Sequence, residues 1–336
     1  MKIKMNKELS RGLAIAAGIV LVFAAGLGIL SRWEDHEEAI AETETCGPEA
    51  IRGAISAGGQ WYVPKEGIET ALLIGVDKFQ QEVPEQESYI NTQQSDFLLL
   101  AILNHKEETC DFLHINRDTM TEIPLIGVRG EDAGSRTEQL ALAHTYGTGG
   151  KDSCRNTTKA VSNLLYGAKI NHYLSMTMDA VEQLTDLVGG VEITFMDDFT
   201  MYDPAFTKGS THRLNGQQAL TYVRARGEME DSSNLRRMER QRQFLTQMQA
   251  TLERRIAQDS SFVMKAMTAL SEYILSDCTA SQMNKLYDRI ANYTLTDIQD
   301  IQGEAVLGEE FMEFYPDEQA LQQQVLELFY TPYQEK

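Results

Sequence analysis

The chain has 336 residues, 42% of them hydrophobic, enough for a sizeable core and evidence against a disordered polymer. Its net charge of −20 is uneven: residues 1–32 carry Lys2, Lys4, Lys7, Arg11 and Arg32 against Glu8, a net of +4, so the rest carries −24. A body this acidic repels nucleic-acid phosphate, and no nucleic-acid partner is expected.

From Gly12 to Ser31 twenty residues pass without a charge. About 20 apolar residues span a bilayer core. Basic residues precede the run, and Glu34, Asp35, Glu37 and Glu38 follow Arg32. This predicts a cytoplasmic tail over 1–12, a transmembrane helix over 13–31 and a body outside the cell membrane. A cleaved signal peptide has a shorter apolar region, about 7–15 residues, so an uncleaved anchor is the better reading. An acidic, then Gly- and Ala-rich linker is expected over 32–67, with the folded domain over 68–330.

Within the body, Ala71–Asp77, Asp96–Leu103 and Cys110–Asn116 read as three apolar strands. A polar loop joins the first two, and a tight turn over His105–Thr109 joins the last two. Helices are expected over 137–146, 156–166 and 179–188, with strands over 170–176 and 191–195. Asn215 and Asn234 are positioned to cap helices ending near Arg224 and Ile256. Helices over 261–276 and 280–292, a strand over 294–298 and a helix over 317–329 complete the chain. Interleaved strands and helices indicate an α/β fold, a central mixed sheet flanked by helices on both faces.

Four cysteines remain, Cys46, Cys110, Cys154 and Cys278. One or two structural disulfides are expected outside the cytoplasm, with three full pairings open. The absence of a CxxC pair argues against a zinc or redox site. The six histidines form no ligand-like pair in sequence, and His114 and His144 read as core or surface residues.

The strand order gathers polar residues. If the three apolar strands pair antiparallel in sequence order, Asp77, Asp96 and Arg117 meet at one end of the sheet. Two carboxylates beside a guanidinium suit a divalent metal next to a bound anion. Magnesium takes one or two carboxylates together with phosphate oxygens, and arginine grips phosphate through its planar fork. A structural ion pair capping the sheet is the plainer reading.

A second cluster follows: Arg224 and Arg226 end one helix, and Arg236, Arg237, Arg240, Gln241 and Arg242 open the next. Arg237, Arg240 and Gln241 share a helix face. Arginines at a helix start oppose the helix dipole, a conflict that marks functional sites, although a solvated charged face is the ordinary alternative. The stretch Gly147–Lys151 fails as a phosphate loop, because Thr145 and Asp152 replace required residues. No GxSxG or HExxH motif occurs.

These segments together resemble the LytR-CpsA-Psr family. The resemblance rests on LLIGVD at 72–77, SDFLLLAI at 95–102, INRDT at 115–119, LVGGVEI at 187–193, LNGQQALTYVRAR at 214–226 and RMERQRQFL at 237–245. It implies a central sheet with an apolar pocket for a polyprenyl chain. It implies magnesium-assisted transfer of a glycopolymer from a polyprenyl-pyrophosphate carrier to a wall acceptor, usually peptidoglycan. Carried over by motif, Asp77 and Asp96 are the magnesium-associated acids. Arg117, Arg224, Arg226, Arg237, Arg240 and Gln241 bind the pyrophosphate. One segment departs: Gln139-Leu140-Ala141 stands where many members have Lys-Ile-Asn, so a lysine charge is missing.

The expected activity is a phosphotransferase in which an acceptor hydroxyl attacks the glycopolymer-linked phosphorus, with Asp77 or Asp96 also able to accept the proton. The alternatives are a polyprenyl-pyrophosphate hydrolase and a non-catalytic lipid- or glycan-binding surface protein. A transcription regulator conflicts with the anchor and the acidic body.

Overall fold

The computed structural model describes residues 51–78, 91–127, 129–225, 233–259, 261–278 and 293–334. The expected tail, transmembrane helix and helix over 280–292 lie outside the described residues, as do Cys46 and Arg226. Among the described residues no helix is long and apolar enough to cross a membrane.

The strands are β1 (Ile55–Ala57), β2 (Gln60–Pro64), β3 (Ile68–Val76), β4 (Ser95–Asn104), β5 (Thr109–His114), β6 (Met120–Ile126), β7 (Asp132–Gln139), β8 (His172–Thr177), β9 (Val191–Thr194), β10 (Thr211–Leu214), β11 (Ile274–Ser276), β12 (Thr294–Asp300), β13 (Gly303–Leu307), β14 (Met312–Pro316) and β15 (Tyr330–Pro332). The α-helices are α1 (Lys151–Leu164), α2 (Asp179–Leu187), α3 (Gly216–Arg224), α4 (Asn234–Gln258), α5 (Phe262–Leu270) and α6 (Glu318–Phe329).

Strands β3 and β4 are continuous apolar runs because both of their faces are covered. In β4 alternate side chains go to opposite layers, as the pleat requires. Phe97, Leu99, Ala101 and Leu103 join a core with α2, α3, α4 and α5. Leu98, Leu100 and Ile102 join a second core with α1 and α6. The six-stranded sheet runs β11-β8-β3-β4-β5-β12. It is mixed: β3 pairs antiparallel with β4 and parallel with β8, β4 pairs antiparallel with β5, and β12 pairs parallel with β5. The expected α/β architecture with helices on both faces is therefore present.

Several local expectations change. The segment over 137–146 is the end of β7 followed by a 3-10 turn over Leu140–Thr145, not an α-helix. Its neighbour β6 pairs with β7, and that hairpin satisfies the backbone groups a helix would have satisfied internally. Helix α1 begins at Lys151, five residues earlier than expected. Between 261 and 276 the helix stops at Leu270, and a 3-10 turn leads into β11. Part of the expected linker is folded, since β1 pairs with β2, and β2 pairs with β15 near the chain's end. Cys110, Cys154 and Cys278 are free, so among the described residues neither one nor two of the expected bridges form. Cys110 and Cys154 are buried, and burial pushes both thiols well above their ordinary range, to about 12 for Cys154. They pack as small hydrophobes.

Candidate active site

The register between β3 and β4 breaks at one end of the sheet. Gly75 faces Phe97 and Val76 faces Ser95, which leaves Asp96 as the extra residue of a β-bulge. Bulges re-aim side chains and recur beside active sites. Gly75 is needed at this crossing, because a Cβ there would lie 2.8 Å from Phe97 Cβ.

Asp96 Oδ1 accepts a hydrogen bond from Arg117 Nη1 and lies 3.6 Å from Arg237 Nη1. Arg117 Nη2 donates to Gln94 Oε1, and Arg237 Nη2 donates to the Asp96 carbonyl at 3.3 Å. At the adjacent end of β3, Asp77 Oδ1 pairs with Arg224 Nη2 at 2.8 Å. The expected meeting of Asp77, Asp96 and Arg117 thus occurs, and Arg224 and Arg237 join it. The environments differ: the Arg117 and Arg237 side chains are 10% and 6% exposed, whereas Arg224 and Asp77 are about half exposed.

Local structure explains the convergence. Asn215 and Gln218 form a reciprocal capping box that starts α3, and Arg224 is its last residue. The cap of α4 is Ser233, not Asn234: its Oγ accepts from Arg236 N at 3.1 Å. Asn234 instead donates to Asn116 Oδ1, which also accepts from Asp118 N. This contact ties the loop carrying Arg117 to the helix start carrying Arg237. Asn116 and Asn234 are the positioning residues that sequence reasoning missed. The signal was an asparagine directly before Arg117 and another three residues before Arg237.

Arg240 departs from its expected role. Its side chain is fully buried. Nη1 donates to Asp197 Oδ2 at 3.0 Å, Nε to the Tyr222 carbonyl at 3.3 Å, and Nη2 to the Ala225 carbonyl. Its guanidinium carbon also lies 5.7 Å from the centre of the Phe199 ring. All three guanidinium nitrogens are satisfied within the protein, so Arg240 fastens the end of α3 rather than meeting a ligand. Arg236 does similar work through Asp197, Glu239 and the Met196 carbonyl.

Gln241 borders a cavity. Its Nε2 donates to the Val223 carbonyl at 3.4 Å, and its buried Oε1 has no hydrogen-bond partner. The cavity is otherwise lined mostly by apolar groups, among them Leu73, Phe97, Met176, Met178 and Met248. Gly75, the partner of Phe97 at the bulge, also lines it, so one side of the cavity adjoins the strand ends that carry Asp77 and Asp96.

The other sequence signals resolve structurally. Gln139, standing at the missing lysine, is buried and donates to the Met312 carbonyl at 2.6 Å and to Asp118 Oδ1 at 3.3 Å. The glycine-rich loop before α1 spends its amides on its own helix. Thr148 N donates to Asp152 Oδ2, and Gly149 N donates to Ser153 Oγ, both at 2.9 Å. His114 and His144 are core residues, as expected, and burial keeps them neutral, at about 3 and about 4.

The donor set fits magnesium: the acids at this site, Asp77 and Asp96, are hard oxygen ligands, and their ion pairs described above run through Oδ1.

The LytR_cpsA_psr family model matches residues 37–328. A polyisoprenyl-teichoic acid–peptidoglycan teichoic acid transferase, TagU, from Enterococcus faecalis is 26% identical over 277 residues, covering 81% of each chain. TagU of Bacillus cereus is 30% identical over 234 residues, covering 69% of this chain and 67% of its own. The solved structure of TagT bound to LIIa-WTA superposes with a TM-score of 0.57 at 22% identity, covering 79% of this chain and 90% of TagT. With the family model matching most of its length, the chain belongs to the LytR_cpsA_psr family.

Proposed function

We propose that the chain is a phosphotransferase that moves a glycopolymer from a polyprenyl-pyrophosphate carrier onto peptidoglycan. The observation that carries this reading is the junction at the β3–β4 bulge. There a cluster of arginines and carboxylates opens beside an apolar cavity. A lipid pyrophosphate has the same two-part chemistry. The transferase names of the TagU relatives support the same substrate class.

In this reading Arg117 and Arg237, with Arg224 and Arg226, donate to the pyrophosphate oxygens. Gln241 orients the group at the cavity mouth. Asp77 and Asp96 would hold magnesium, which when bound supplies charge neutralisation on the phosphoryl oxygens. The acceptor hydroxyl gives its proton to Asp77 or Asp96 as its oxygen forms the new P–O bond to the glycopolymer-bearing phosphorus. The bond to the bridging oxygen breaks, and polyprenyl phosphate leaves with the electron pair. Preorganised donors aimed at the developing charge are the main device in such transfers.

The cavity holds about 70 Å³. Ligand sites run to about 300–1,000 Å³, so a polyprenyl chain must part the lining. Met176, Met178 and Met248 are suited to that, being unbranched and adaptable. The family's membrane setting belongs to this proposal too, with residues 13–31 as the anchor, the body outside and the carrier lipid in the bilayer.

The test is incubation of the full chain with magnesium, a short-chain polyprenyl-pyrophosphate oligosaccharide and peptidoglycan. Polyprenyl phosphate release together with glycan bound to peptidoglycan is expected. Release with only free phosphorylated glycan would establish a hydrolase instead, and carrier binding without turnover would leave a non-catalytic binding protein.

A further inference from the structure

Far from the bulge, the opposite end of the sheet gathers a second set of reactive groups. His172 opens β8, and Asp277 and Cys278 follow β11. One ligand atom from each lies within 4.8 Å of the others, and among the described residues no other group of three or more His, Cys, Asp or Glu side chains comes so close. We propose that His172, Asp277 and Cys278 form a binding site for a borderline-soft divalent cation of the zinc class. The proposal is independent of the reading given for the bulge, since Glu69 and Asp77 are eight residues apart on one strand path, roughly 26 Å at about 3.3 Å per residue.

The donor set selects the metal. A thiol, an imidazole and a carboxylate together suit zinc, whereas magnesium and calcium take oxygen ligands alone. Zinc bonds of about 2.0–2.3 Å place tetrahedral ligands roughly 3.5 Å apart. His172 Nδ1 and Asp277 Oδ1 are already 3.9 Å apart. Since all three ligand atoms lie within 4.8 Å of one another, side-chain movements of about 1.3 Å at most reach that spacing.

The groups behind the ligands hold them in place. Glu69 Oε1 lies 3.1 Å from His172 Nε2, so the carboxylate accepts a hydrogen bond from Nε2–H and leaves the Nδ1 lone pair on the side of Asp277. A carboxylate behind a ligating histidine is the recurrent support of metal sites. The other Glu69 oxygen contacts His105 Nε2 at 2.7 Å, and His105 Nδ1 lies 2.7 Å from the Tyr293 hydroxyl. Asp277 Oδ1 accepts from Tyr173 N at 3.0 Å. Ser276 Oγ donates to the Tyr173 carbonyl at 2.8 Å and accepts from Cys278 N at 3.1 Å. Both loop ligands are thus fixed to β8, the strand that carries the histidine. The structure leaves the Cys278 thiol half-buried and reachable, unlike the buried Cys110 and Cys154.

The rival account is a proton in place of the metal, with a protonated His172 bridging Glu69 and Asp277. Cobalt separates the two. The full chain, reduced and with magnesium in excess to occupy oxygen-only sites, is titrated with Co²⁺. Saturation at one equivalent is expected, with visible bands of tetrahedral cobalt and a near-ultraviolet thiolate-to-cobalt band, and Zn²⁺ should displace it. Cys278→Ser should lose the near-ultraviolet band. Glu69→Gln should keep the band but weaken binding by about 10–100-fold, the usual effect of removing support behind a ligand. Circular dichroism monitors folding, and Asp277→Asn, at an exposed position, is the second ligand variant. A wild-type chain without a saturable thiolate band would overturn the site, as would a Cys278→Ser chain that keeps it.

Discussion

Asp96 and Asp197 each hold two arginines, and helix α4 supplies at least one to both. The two clasps nevertheless differ in kind. Around Asp197 the guanidinium donors of Arg240 are spent on Asp197 and two backbone carbonyls, with no exposed surface. Around Asp96 the set adjoins the apolar cavity and continues into the half-exposed Asp77–Arg224 pair. Arg117 Nε lies 3.5 Å from Asp118 Oδ1 without a hydrogen bond, and Gln241 Oε1 is unpartnered. The lesson is that arginine number does not separate a ligand grip from a fastener. Donor saturation and access do.

The comparison breaks if the two clasps respond alike to mutation. Arg240→Ala should destabilise the fold by about 3 kcal/mol or more, because it removes one partner from a buried charge pair and empties a packed site. Urea unfolding measures this, and a shift below about 1 kcal/mol would place Arg240 with the exposed pairs. Arg117→Lys should do the reverse. The lysine keeps the charge and most of the packing but loses the fork. Activity should fall by about ten- to a hundredfold, from a charged hydrogen bond worth about 1.5–3 kcal/mol. Initial rates of carrier turnover, at matched folding, decide it.

The sequence made the Asp96 clasp legible because its parts lie at the ends of apolar runs. Strand order then follows from short connections, and Asp77, Asp96 and Arg117 fall together. The Asp197 clasp was not legible, because Asp197 follows a short strand with no motif to distinguish it from Asp198. Its partners reach it only through the packing of α4 on β9. The His172 cluster was hidden for the same reason: Glu69, His105, His172 and Cys278 are scattered over more than two hundred residues and meet only across β3, the turn after β4, β8 and the end of β11. The helix expected over 137–146 failed for a different cause. Its Thr-Glu-Gln-Leu-Ala-Leu stretch has good helix formers, but pairing with β6 outweighs that weak preference.

A pH titration sharpens the contrast near the open clasp. His114 packs against Phe97, with its ring centre 4.9 Å away. Burial holds its pKa at about 3, and the charges of Arg242 and Arg237 act in the same direction. Asp300 Oδ1, 3.8 Å from its Nδ1, opposes them. Burial likewise holds His144 at about 4, against the Gln93 carbonyl and Asp152. Unfolded, each takes a proton near the ordinary value of 6.5. Below that value the unfolded state binds more protons, so stability should be complete above pH 6.5 and fall toward pH 4. The slope should be at most about 1.4 kcal/mol per pH unit for each histidine. The urea midpoint measured from pH 7.5 to 4.5 should show this decline, and His144→Gln should flatten its share. An equally steep decline in His144→Gln would assign the loss to other groups.

The smallest expected effect belongs to Arg224, and it tests where the open clasp ends. Its pair with Asp77 is about half exposed on both sides, so water and salt screen it. Such pairs contribute about 0.2–1 kcal/mol, and Arg224→Lys should leave the melting temperature of the free protein nearly unchanged. Ligand changes the situation, since a lipid pyrophosphate at the cavity mouth would bring phosphate oxygens beside Arg224 and exclude part of the water. The fork then has two acceptors to meet, and lysine has only a point charge to offer. Affinity should fall by roughly three- to tenfold, on the order of 1 kcal/mol. Thermal unfolding with a short-chain polyprenyl pyrophosphate and magnesium reads this as a smaller ligand-induced rise for Arg224→Lys than for wild type. Equal rises would confine the grip to the buried Arg117 and Arg237, with Arg224 serving only to hold Asp77. A lowered melting temperature without ligand would place Arg224 among the fasteners, beside Arg240.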